Sequence, residues 1–233
     1  MAATPCVSAI VIVRNGERFL RDALTSIQQQ TYPAHEIIVV DGRSTDASLS
    51  IAREFAAHII VQPDEGIANA RNLGIAAAQG EYIVFLDHDD RWHVDKIAQQ
   101  IAYHRDAPDA EYSITQMMFF HGDASFPTQS SQVQPSAVRV AGTPSALLAR
   151  RALFERVGGF DPRYAIACDA DWFTRARDAA VSMLVVPQVL TFKRLHQDNI
   201  SHDIERNRRE MFAVAHQSLL RQQAQRDADS ACN

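Results

Sequence analysis

Over its first hundred residues the chain alternates short β-branched runs with helix-patterned stretches, and few architectures accept that rhythm. Val7–Val13 (VSAIVIV) is apolar at nearly every position, the pattern of a strand buried on both faces of a parallel sheet. Asn15 stands where it would cap a helix over about Glu17–Gln29, whose Phe19, Leu20, Ala23, Leu24 and Ile27 share one stripe. Strand Glu36–Val40, helix Asp46–Ala57, strand His58–Val61, helix Gly66–Ala78 and strand Glu81–Leu86 then follow in turn. Linked by right-handed crossovers, such units predict an α/β fold: a doubly wound, mainly parallel sheet flanked by helices and related to the Rossmann fold.

The remainder is less regular. Tyr112–Phe120 has strand character, and 121–141 is a long Ser-, Gln- and Pro-rich loop, of a length that is usually functional or disordered. Arg151–Val157 reads as a helix stopped by Gly158-Gly159, and Trp172–Ala179 as a second. Two strands, Ser182–Val186 and Val189–Leu195, precede a final helix from about Asp203. Its stripe of Ile204, Met211, Phe212, Ala215 and Leu219 is expected to pack against its own domain, the alternative being a partner chain or a membrane surface. Residues 226–233 lack an apolar face and read as a flexible tail.

A length of 233 residues suits one such domain. Its formal charge of -5, with Lys and Arg scattered along the chain, argues against a nucleic-acid partner. Cys6, Cys168 and Cys232 are odd in number and far apart, which points to a reducing compartment and neither a zinc site nor a disulfide framework. No run approaches the ~20 apolar residues of a transmembrane helix. A cytoplasmic protein is expected, with room for peripheral contact at the inner face of the membrane.

Two acidic groups follow strands, where open α/β sheets bind their ligands. Asp41 follows Ile37–Val40, and Asp87-His88-Asp89-Asp90 follows Ile83–Leu86. Alternate residues leaving a strand point the same way, so Asp87 and Asp89 can converge. Close carboxylates repel unless a cation lies between them, and a hard divalent ion completed by substrate phosphates satisfies that demand. The competing reading of the same residues is a solvated acidic turn capping a helix around His93–His104.

The segments VSAIVIVRNGERFL, QTYPAHEIIVVDGRSTD, EGIANARNLGIAAAQGEYIVFLDHDD and RWHVDKI span about ninety residues. In order and spacing they resemble the donor-binding half of family 2 glycosyltransferases, inverting enzymes with the glycosyltransferase A fold. ALLARRALFERVGGFD, CDADWF and KRLHQDNIS match the later half more loosely. The resemblance implies one glycosyltransferase domain over 1–225, with a donor half (about 7–105), an acceptor half (about 106–202) and a C-terminal helix (203–225). It implies that Asp41 contacts the base or ribose of the donor and that Arg71 lies beside the nucleotide. Asp89 would bind Mn2+ or Mg2+ bridging the diphosphate, with Asp87 assisting through ribose, water or the same metal. His196 would approach the diphosphate or the metal, and Asp169 would be the general base. Asp171 is a rival for that role, its competing reading being a helix N-terminal acid.

The implied reaction moves a sugar from a nucleotide-diphosphate-sugar donor to the hydroxyl of a saccharide or glycoconjugate acceptor, by metal-assisted single displacement with inversion. Bacterial polysaccharide synthesis is the family's usual setting. Three positions depart from the pattern: Gly42 stands where a second acid is common, Arg14 where a small or aromatic residue is usual, and Cys168 where Glu usually precedes the base. Gly42 and Cys168 keep open a non-catalytic nucleotide-sugar-binding module. A nucleotidyltransferase is disfavoured because Arg14–Arg18 lacks the glycine-rich loop that would receive a triphosphate.

Overall fold

The structure, a computed structural model, describes residues 4–121, 138–140, 142–196 and 203–231. Most of the loop over 121–141, together with Asn199 and Ser201, lies outside them. The strands are β1 Val7–Val13, β2 Glu36–Asp41, β3 His58–Val61, β4 Tyr82–Asp87, β5 Arg91–Trp92, β6 Tyr112–His121, β7 Val138–Val140, β8 Leu147–Arg150 and β9 Met183–Leu195. The helices are α1 Leu20–Gln28, α2 Ser48–Glu54, α3 Ile67–Ala77, α4 Lys96–Asp106, α5 Arg151–Val157, α6 Cys168–Asp178 and α7 Ile204–Ala231.

One sheet runs through the domain in the order β3-β2-β1-β4-β8-β6-β9-β5, with β7 added on β6. β3, β2, β1 and β4 are parallel, as the alternation requires. β8 runs antiparallel between β4 and β6, β9 is parallel to β6, and β5 is antiparallel to β9. The acceptor-side half is therefore a mixed extension of the parallel sheet.

The period of two along β1 sorts its side chains between two cores. Val7, Ala9, Val11 and Val13 meet Leu20, Ala23, Leu24 and Ile27 of α1 and Ile51 of α2. Ile10 faces the other way, with Phe85, Ala68, Leu153, Phe154 and Trp172 from β4 and helices α3, α5 and α6. Each large side chain buried this way contributes roughly 1.5–3 kcal/mol. Gly74 lets α3 lie close on the sheet, since a Cβ there would stand 2.5 Å from Cγ2 of Ile10. Gly158 ends α5 at φ 85°, a conformation that favours glycine.

Several boundaries differ from the sequence expectation. Asn15 does not cap α1, which begins five residues later. Its backbone takes φ 51°, and its Oδ1 accepts from the Thr45 N–H at 2.8 Å, tying the turn after β1 to the turn after β2. The two strands expected over 182–195 are one, β9. Pro187 and Gln188 fall where the pairing with β6 slips between Thr115↔Val186 and Gln116↔Val189. A bulge there removes the need for a ladder hydrogen bond from proline.

α7 departs most. It continues to Ala231, through the segment expected to be a flexible tail. Its apolar stripe does not pack at home: Ile204 is 76% exposed, Phe212 69% and Leu219 60%. The helix docks instead through Val214 and Ser218, with Arg221 and Gln222 joining Ser218 on the carboxylate of Asp178 in α6. No helix among the described residues is long and apolar enough to cross a membrane.

Candidate active site

Strand register brings the two acidic groups to one edge. Asp41 ends β2 opposite Val13, and Asp87 ends β4 opposite Ile12, so the two flank the carboxyl end of β1. Two strand spacings separate them, about 10 Å. Asp41 is fully buried; its Oδ2 accepts from the Ser44 N–H at 2.9 Å, and its Oδ1 has no partner among the described residues. A buried acceptor without a donor is costly, and an N–H or O–H group of a ligand would relieve it.

Beyond β4, carboxylate oxygens of Asp87, Asp89 and Asp90 lie within 4.8 Å of one another. This hard oxygen donor set fits Mg2+ or Mn2+. The three acids are not equivalent. Asp90 has no exposed surface, and both its oxygens are engaged: Oδ1 by the backbone N–H of Arg194 at 3.1 Å, Oδ2 by Ser145 Oγ at 2.7 Å and Lys193 Nζ at 3.3 Å. It is a strut under the turn. Asp87 and Asp89 stay partly accessible, their side chains 19% and 13% exposed.

Each of those two acids has a basic partner. His196 Nε2 lies 2.9 Å from Asp89 Oδ2, and its ring packs on Phe19 with centroids 5.1 Å apart. Arg71, on α3, donates from Nη2 to Asp87 Oδ1 at 2.9 Å and from Nη1 to the Cys168 sulfur at 3.6 Å, over the ring of Phe160. Burial alone would push Asp87 up, but Arg71 and then Lys193 outweigh it and hold the carboxyl at about 2. Burial pushes the Cys168 thiol up to about 11 against the pull of Arg71, so it is a neutral packing group.

Arg71 thereby joins β4 to the start of α6, the turn that carries Asp169. Asp169 is half-buried, its Oδ1 accepting from the Ala170 N–H at 2.7 Å. Desolvation raises its pKa, with Arg71 opposing. Asp171 is buried at 2% exposure and binds Arg175 Nε at 2.7 Å; Arg175 in turn holds the carbonyls of Val157 and Gly159.

Sequence reasoning singled out Asp41, Arg71, Asp87, Asp89, Asp169 and His196, and the fold gathers all but Asp41 into one connected group. It missed Lys193, Arg194 and Ser145. Arg194 is 2% exposed, clasped between the rings of Phe19 and Phe120 at 4.3 and 4.6 Å, and donates to the Asp89 carbonyl at 2.9 Å. Ser145 Oγ accepts from the Asp87 N–H at 3.2 Å while donating to Asp90. The one available signal was the Lys193-Arg194 pair directly before Leu195-His196.

A parallel sheet continued by a mixed set of strands, with three clustered acids at its carboxyl edge, is the architecture of the glycosyltransferase A fold. The mannosyltransferase PcManGT of Pyrobaculum calidifontis, solved with GDP-Man and Mn2+, superposes with a TM-score of 0.65 over 88% of this chain and 61% of its own, at 21% identity. Staphylococcus aureus TarS residues 1–349 with UDP-GlcNAc gives 0.70 over 85% and 61%, at 22% identity. The chain belongs to glycosyl transferase family 2, whose family model matches residues 8–159. It is 34% identical over 105 residues to TuaG of Bacillus subtilis, assigned as a teichuronic acid biosynthesis glycosyltransferase; the match covers 42% of each protein. The chain thus matches less than half the length of that relative.

Proposed function

We propose that this chain transfers a sugar from a nucleoside diphosphate donor to an acceptor hydroxyl with inversion, in bacterial polysaccharide or glycoconjugate synthesis. One observation carries the reading. Arg71 ties Asp87, in the acidic cluster, to the turn that bears Asp169, so the acids that would hold a cation and the Asp169 carboxylate lie on either side of one guanidinium. Asp87 and Asp89 would hold Mn2+ or Mg2+, with His196 beside Asp89. When bound, such an ion offsets the charge that develops on the departing diphosphate.

Asp41 would accept from the base or ribose through its unpartnered Oδ1. Asp169 would take the proton of the acceptor hydroxyl as that oxygen bonds to the anomeric carbon and the bond from carbon to diphosphate oxygen breaks. Partial burial favours it as a base, because desolvation raises its affinity for a proton. Asp171 is committed to Arg175, which supports Asp169 as the base.

Thermal unfolding with uridine or guanosine diphosphate, with and without Mn2+, tests the donor site, since a ligand of the folded state raises apparent stability. A metal-dependent rise is expected in the wild type and none in Asp89→Ala. An Asp89→Ala protein with the wild-type response would refute the assignment.

A further inference from the structure

Lys193 is absent from the roles given above, yet it sits where a cation is wanted. Its Nζ lies 3.3 Å from Asp90 Oδ2 and 3.6 Å from Asp87 Oδ2, on a side chain that remains 24% exposed. Asp87 is thereby flanked by Arg71 at Oδ1 and by Lys193 at Oδ2. Three carboxylates gathered at this turn face two cationic side chains before any ion arrives.

We propose that Lys193 is a built-in counter-ion which competes with the divalent cation for Asp87 and turns to the donor diphosphate when the cation enters. This rests on reading Asp87 and Asp89 as the metal ligands. An ion bound through Asp87 Oδ2 lies beside the ammonium, and like charges at such range repel. A diphosphate brings the negative charge that lets both cations stay. Metal and nucleotide therefore favour one another, and by linkage the enhancement is the same in either direction. The partly exposed side chain gives Lys193 the freedom to turn, whereas Arg194, buried between two rings, is fixed.

Titration with Mn2+, read by the electron paramagnetic resonance of the free ion, tests this without turnover. In the wild type, Mn2+ alone should bind weakly, and uridine or guanosine diphosphate should tighten it at least tenfold. Lys193→Met should bind Mn2+ alone at least tenfold more tightly, with the nucleotide enhancement reduced to match, while Lys193→Arg should keep the wild-type pattern. Because Lys193→Met strands the buried Asp90, the double variant Asp90→Asn/Lys193→Met removes both charges together and should show the same tight binding of Mn2+ alone. If Lys193→Met and the double variant bind Mn2+ alone no more tightly than the wild type, while nucleotide still promotes Mn2+ binding in the wild type, the counter-ion role is overturned and the metal site stands. If no protein binds Mn2+ even with nucleotide, both are overturned.

Discussion

Asp169 and Asp171 are two residues apart on the first turn of α6, and a helix turns about 200° over that interval. They therefore point to opposite sides: one towards the rim with Arg71, the other inward to Arg175. The two amide substitutions should separate accordingly. Asp169→Asn keeps the shape and loses the base, so transfer should fall roughly 10²–10⁴-fold while metal-dependent nucleotide binding persists. Asp171→Asn weakens a buried charge pair and should lower stability by roughly 1–3 kcal/mol, read by urea unfolding, with a smaller effect on turnover of the folded fraction. Catalytic loss in Asp171→Asn matching that expected for Asp169→Asn would reverse the assignment. At this scale the acids at the strand ends were legible in the sequence, because a strand followed by carboxylates fixes both place and direction. Lys193 and Arg194 were not, because β9 reaches the cluster only through pairing with β5 and β6, far away in the chain.

A carboxylate of α7 reaches the segment that leads into the site. Glu210 accepts from the backbone N–H groups of Ala165, Ile166 and Ala167 at 3.2, 2.8 and 2.9 Å, and these residues lead into α6 and Asp169. Glu210→Ala should cost about 1–3 kcal/mol and quicken amide exchange over 165–169 in hydrogen-exchange measurements. Unchanged exchange there would mean that the α6 turn holds itself. Burial pushes Glu210 up, but the backbone donors and Arg206 outweigh it and leave its pKa below the ordinary 4.5. Its contribution is therefore complete above that value and is lost as pH falls through the lowered one. The helix was legible from its pattern, but its docking face was not. The exposed stripe is the more apolar one, while the buried face joins Val214 and Ser218 to polar contacts with Asp178, which hydrophobic periodicity does not register.

For the molecule as a whole, an ionisable group in the core couples stability to pH. Lys96 has no exposed surface; it donates to Gln100 Oε1 at 2.8 Å and the Leu147 carbonyl at 3.3 Å, and its Nζ lies 4.3 Å from the centre of the Trp92 ring. Burial lowers its pKa well below 10.5. Between that lowered value and the unfolded one the unfolded chain binds more protons, so this residue makes stability rise with pH. Urea unfolding of the wild type and Lys96→Met at several values between about pH 7 and 9.5 isolates the effect. The difference in stability between the two should shift in favour of the wild type as pH rises, and a difference that stays constant would show that Lys96 is not the source. Sequence alone determined the alternating strands and helices, the parallel half of the sheet and the acids at its edge, because side-chain period and strand ends are local properties of the chain. Tertiary structure decided which carboxylate is strut and which is open, which cation answers each, and how α7 docks. Those outcomes depend on burial and on charges brought together from distant segments, and neither is written in local spacing.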